Sequence, residues 1–131
     1  MFDLSTKILV VDDMATVRRI IAKMCTDIGF KEVIEAADGE SAWTAINTSV
    51  PPIGLVLSDW NMPKLSGPDL VKRIRSDVRY RNTPVILITT EAESKKIVEA
   101  AASGIDDYIV KPFPLDTLVT KIKKTYEKRF K

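Results

Sequence analysis

Histidine is missing from all 131 residues of the chain. Its absence removes zinc sites built on imidazole, Ser-His and Cys-His nucleophile pairs, and any role as a phosphohistidine carrier. The single cysteine, Cys25, has no internal disulfide partner, which fits a reducing, cytoplasmic setting. Long apolar runs are also lacking, and Asp3, Asp12 and Asp13 interrupt the first dozen residues. Neither a signal peptide nor membrane insertion is therefore expected. Excess charge is lacking too: a net +2 gives no argument for nucleic acid. The apolar fraction of 45% and charged fraction of 29% are those of one folded domain, residues 1–131, with a substantial core. Chemistry at neutral pH must then come from carboxylates, hydroxyls, lysine and a metal ion.

The pattern that is present alternates between two periods. Lys7 to Val11 is a β-branched, apolar run ending in Asp12-Asp13 and predicts a first strand. From Met14 the period changes, and Val17, Ile20, Ile21, Met24 and Ile28 predict one helical face, closed by Gly29 in a left-handed cap. Glu32 to Ala36 predicts strand 2. Asp38-Gly39 opens a helix that turns Ala42, Trp43 and Ile46 inward and stops at Pro51-Pro52. Strand 3 is expected over Gly54 to Ser58, followed by Asp59. Ser66-Gly67-Pro68 then caps a helix that buries Leu70, Val71 and Ile74. Val85 to Ile88 predicts strand 4, ending in Thr89-Thr90, and Thr90 to Glu93 has the spacing of a capping box for a helix reaching Gly104. Strand 5 is Asp107 to Val110, ending in Lys111-Pro112, and a last helix aligns Leu115, Leu118, Val119, Ile122 and Tyr126. Such alternation implies an α/β fold with a five-stranded parallel sheet between helical layers.

Right-handed crossovers put every strand's carboxyl end on one edge of that sheet. Asp12 and Asp13 end strand 1, Asp59 strand 3, Thr89 strand 4 and Lys111 strand 5. If strands 1 and 3 are neighbours, three carboxylates converge, and their repulsion calls for a cation. Oxygen donors with neither imidazole nor thiolate select Mg²⁺. Lys111 adds an ammonium and Thr89 a hydroxyl. A socket of this composition suits a phosphoryl group carried on Asp59.

The ordered set VVDD (Val10 to Asp13), SDWNMP (Ser58 to Pro63), Thr89 and YIVKPF (Tyr108 to Phe113) resembles the receiver domains of two-component signalling, most closely CheY-like chemotaxis response regulators. The likeness covers essentially the whole chain and leaves no room for an output domain. The strand order 2-1-3-4-5 is taken from that family, which is itself a standard example of it. The resemblance implies that Asp59 is the phosphoacceptor, taking its phosphoryl group from a sensor histidine kinase (CheA-like). It implies that Asp13, Asp59 and the Asn61 carbonyl hold Mg²⁺, with Asp12 holding a metal-bound water. Thr89 and Lys111 would contact the phosphoryl oxygens, and the Lys111-Pro112 bond would be cis.

The same likeness implies a switch. Thr89 moves toward the phosphoryl group and Tyr108 turns inward, altering the face made by the fourth helix, strand 5 and the last helix. Moving a minor state from 1% to 99% takes about 5.5 kcal/mol. Ala92, Ile97, Tyr108, Val110, Phe113 and Lys121 are the expected partner face, and a flagellar motor switch protein the expected partner of a monomeric chain. Asn61, Thr90 and Glu91 would govern dephosphorylation, so the protein acts on itself and is no enzyme toward external substrates. Two positions depart from the pattern: Ser94 stands where chemotaxis relatives often carry lysine, and Thr90 where alanine or glycine is usual. The rival within signalling is a phosphorelay carrier that passes the group to a histidine phosphotransfer domain. An aspartate-nucleophile phosphohydrolase would want a second carboxylate at position 61, and a flavin-binding module a glycine-rich loop after strand 1. The chain has Asn61 and Asp12-Asp13-Met14 at those places.

Overall fold

The computed structural model describes residues 1–90, 102 and 104–130. Its strands are β1 (Lys7–Val11), β2 (Val33–Ala36), β3 (Ile53–Asp59), β4 (Val85–Thr89) and β5 (Asp107–Val110). They form one parallel sheet in the order β2-β1-β3-β4-β5. The helices among the described residues are α1 (Ala15–Ile28), α2 (Gly39–Thr48), α3 (Gly67–Ser76) and a C-terminal helix (Leu115–Phe130). The helix expected between Thr90 and Gly104, with its capping box at Thr90 and Glu93, lies outside the described residues.

The sheet is covered on both faces, which is why its strands read as continuous apolar runs rather than alternating ones. Successive side chains still point to opposite faces. Ile8, Val10, Leu55, Leu57, Ile86, Ile88 and Ile109 pack with α1 and the C-terminal helix through Ile21, Cys25, Leu118 and Ile122. Leu9, Val11, Val56, Val85 and Leu87 face the other way and meet Ala42, Ile46, Leu70, Val71 and Ile74 of α2 and α3. Each such side chain, fully buried, contributes roughly 1.5–3 kcal/mol of transfer free energy.

Local signals fall where the residues imply. Asp38 accepts the Ser41 N–H at 2.7 Å and caps α2, and Ser66 accepts the Asp69 N–H at 3.2 Å and caps α3. Gly29 takes a φ of 122° after α1 and donates to the Cys25 and Thr26 carbonyls. Lys111-Pro112 is cis, as is Val50-Pro51.

Several details differ from the expectation. β3 runs one residue further at each end, so Asp59 is its last paired residue, opposite Ile88. Ile20 is 52% exposed, because it trails Ile21 by about 100° around α1, while Ala22 and Cys25 take the inward positions. Trp43 is half-buried, its ring meeting Tyr80 edge-on at 6.0 Å. Leu115, at the open first turn of the C-terminal helix, is exposed, whereas Thr125, nearly three turns further along, joins Leu118 and Ile122 on the buried face.

Candidate functional site

Adjacency of β1 and β3 builds the site. Val11 pairs with Ser58, so the residues that follow them, Asp12 and Asp59, emerge side by side at the carboxyl edge. Asp12, Asp13 and Asp59 each place a carboxylate oxygen within 4.8 Å of the others. Lys111 follows β5, its N–H donating to the Thr89 carbonyl at 2.7 Å. Its Nζ reaches back across β4 to Asp12 Oδ2 at 3.0 Å and Asp59 Oδ1 at 3.2 Å.

Burial sets the electrostatics. The Asp12 side chain is 1% exposed, and its Oδ1 accepts the Met14 N–H at 2.9 Å. Asp59 is held above the ordinary carboxylate range, first by burial and then by the Asp12 charge, with Lys111 pulling against both. For Lys111, burial alone would lower the ammonium, but the hydrogen bond and charges of Asp12 and Asp59 reverse this and leave it raised. Three carboxylates against one ammonium leave a surplus of negative charge among oxygen donors. Such a donor set fits a hard divalent cation held through few protein ligands.

Gly67 fixes the Asp59 turn from below. Its N–H donates to the Trp60 carbonyl at 2.9 Å, and a Cβ there would lie 2.5 Å from the Asp59 carbonyl oxygen. No side chain fits in that gap. Trp60 itself is buried beside the site.

The other expected residues scatter around this centre. Thr89 is the buried last residue of β4, in register with Val110. Asn61 and Thr90 are exposed in the turns after β3 and β4. Thr90 borders an apolar groove of about 300 Å³ with Val17, Ile20, Met24 and Phe113. Phe113 therefore sits against α1, whereas Tyr108 is half-buried beside the C-terminal helix, 5.0 Å below the Lys121 ammonium. Lys121 also pairs with Asp107 at 2.9 Å. Glu91, Ala92, Ser94 and Ile97 lie outside the described residues.

Several polar contacts escaped the sequence reading. Arg18 of α1 donates from Nη1 to the Asp12 carbonyl at 2.9 Å and from Nε to Glu35 at 3.0 Å. At the opposite edge, the Asp106 carboxylate, 1% exposed, receives Arg75 at 3.1 Å, Arg129 at 2.6 Å and the Val85 N–H at 2.8 Å. The charge type of these residues was legible, but the ion-pair partners lie 17 or more positions away, and the Asp12 carbonyl, six positions from Arg18, is a backbone group that no side-chain period marks.

A family model described as a response regulator receiver domain matches residues 8–123. The chemotaxis protein CheY of Pseudomonas aeruginosa is 41% identical over 122 residues, covering 93% of this chain and 97% of its own. CheY-3 of Vibrio cholerae is 43% identical over 122 residues, covering 93% and 92%. Among solved structures, CheY4 of Vibrio cholerae superposes with a TM-score of 0.84 at 33% identity, covering 92% of this chain and 98% of that one.

Proposed function

Because this chain belongs to the response regulator receiver domain family, we propose that it is a phosphorylation-gated switch of chemotaxis signalling with Asp59 as its phosphoacceptor. CheY-like receiver domains are signalling switches rather than enzymes toward external substrates. The observation that carries the assignment is the placement of Lys111 Nζ between the Asp12 and Asp59 carboxylates, with Asp13 alongside.

In this reading an ionised Asp59 oxygen attacks the phosphorus of a phosphohistidine or acetyl phosphate. The bond from phosphorus to the donor breaks, its electron pair leaves with the imidazole or acetate, and an aspartyl phosphate remains. Lys111 opposes the burial and the Asp12 charge that favour a protonated Asp59, and then faces the phosphoryl oxygens. The Thr89 hydroxyl stands one strand over to donate to one of them. Asp13, Asp59 and the Asn61 carbonyl would hold Mg²⁺, with Asp12 holding a metal-bound water, and the ion would supply charge neutralisation at the transferring group. Water attacking phosphorus, with Asp59 as the leaving group, returns the protein to rest. Asn61, Thr90 and Glu91 are the residues we assign to the control of that step.

Occupancy is read at Tyr108. Its inward turn gives up the Lys121 ammonium over the ring and redraws the surface around Val110 and Lys121; Ala92 and Ile97, proposed as further contacts, lie outside the described residues. A CheA-like histidine kinase upstream and a flagellar motor switch protein downstream fit this scheme for a monomer. No described helix is long and apolar enough to cross a membrane.

Incubation with acetyl phosphate and Mg²⁺ is expected to add the mass of one phosphoryl group, and Asp59→Asn or chelation to abolish it. An adduct that persists in Asp59→Asn sinks the assignment.

A further inference from the structure

Arg18 stands at the rim of the acidic pocket without entering it. Its side chain is 15% exposed, and its Nε is tied to Glu35 of β2. From there Nη1 reaches the backbone carbonyl of Asp12. The same residue is gripped elsewhere: the Asp12 N–H donates to the Ala36 carbonyl at 3.1 Å, and the Asp12 carboxylate takes the Met14 N–H and Lys111. The Asp12 carbonyl lies just past β1, where the ladder no longer orients it. A guanidinium on that oxygen makes a charge-assisted hydrogen bond, stronger than a neutral one.

Asp13 depends on this peptide. Its side chain is exposed, so its direction is inherited from the Asp12–Asp13 plane that Arg18 holds. The Arg18 charge is meanwhile occupied by Glu35, unlike that of Lys111, which sits directly on the pocket's carboxylates. We propose that Arg18, anchored by Glu35, is a positioning residue that sets the Asp12–Asp13 turn for divalent-cation binding. This rests on the reading of the acidic pocket as a Mg²⁺ site. Groups behind metal ligands commonly change affinity 10–100-fold when removed, and the same scale applies here.

The test uses the full chain with Trp43→Phe, so that Trp60 alone reports. Mg²⁺ is titrated by tryptophan emission, and amide exchange at Asp13 and Met14 is measured in metal-free protein. Arg18→Ala is expected to raise the Mg²⁺ Kd about tenfold and to speed exchange at Met14, whose N–H rests on Asp12 Oδ1. Glu35→Gln leaves the guanidinium unanchored and is expected to raise Kd a few-fold. Arg73→Ala breaks an ion pair of similar length, to Glu40 at 3.1 Å, and should leave both readouts alone. A wild-type response that Arg18→Ala and Glu35→Gln leave unchanged overturns the inference alone. So does a Kd that rises equally in Arg73→Ala, or only in step with loss of folded protein. No wild-type response to Mg²⁺ overturns the reading of the pocket, and the inference with it.

Discussion

Asp59 is the residue whose burial works against the fold. Its carboxyl is held above the ordinary range by desolvation and by Asp12, so the folded chain favours the protonated form more than the unfolded chain does. The group therefore stabilises the native state in acid. That contribution is lost as pH rises from below the ordinary carboxylate range through the raised native value, leaving a penalty at neutrality. In chelator, Asp59→Asn is expected to be more stable than wild type at pH 7, with the gap closing at low pH. Denaturant melts of both proteins across pH would show it; a constant gap would contradict it. At this scale the charged residues ending each strand were legible because a carboxylate beside a buried run is conspicuous. Arg18 was not, since it acts on a backbone carbonyl, and no side-chain pattern encodes that.

Elements were easier to read than their exact faces. The shift from apolar runs to a 3.6-residue period located β1, α1, α3 and β5, and capping at Asp38 and Ser66 marked where helices begin. Ile20 defeated the same logic, because an apolar stripe wider than the contact leaves its edge residue in solvent. The step from β3 into α3 depends on a close approach that hydrophobicity does not register. At Gly67 even a methyl would meet the Asp59 carbonyl and the Trp60 backbone. Gly67→Ala should then cost about 1–3 kcal/mol and slow phosphoryl uptake, because relief of the clash must shift the Asp59 turn. Chemical denaturation and an acetyl phosphate time course measure the two effects, and uptake at the wild-type rate would show that the turn had not moved.

Across the molecule, charge is concentrated at both ends of the sheet, to opposite effect. At the carboxyl ends carboxylates outnumber cations; at the amino ends of β4 and β5, Arg75 and Arg129 share the buried Asp106. Arg75 also donates to the Gly104, Arg81 and Thr83 carbonyls, so one cluster ties α3, β4, β5 and the C-terminal helix together. Removing one member of a buried ion group strands the others, and Asp106→Ala is expected to lose about 3 kcal/mol or more. Phosphoryl uptake per folded molecule should stay at the wild-type value; a fall in both would link the two ends. Strand order itself came from family likeness, whereas the pairing of distant arginines with Asp106 needed coordinates. A strand length separates the two centres, which makes them independent dials for heritable variation. Changes around Asp106 would alter how much protein a cell keeps, and changes around Asp59 how loudly each copy speaks.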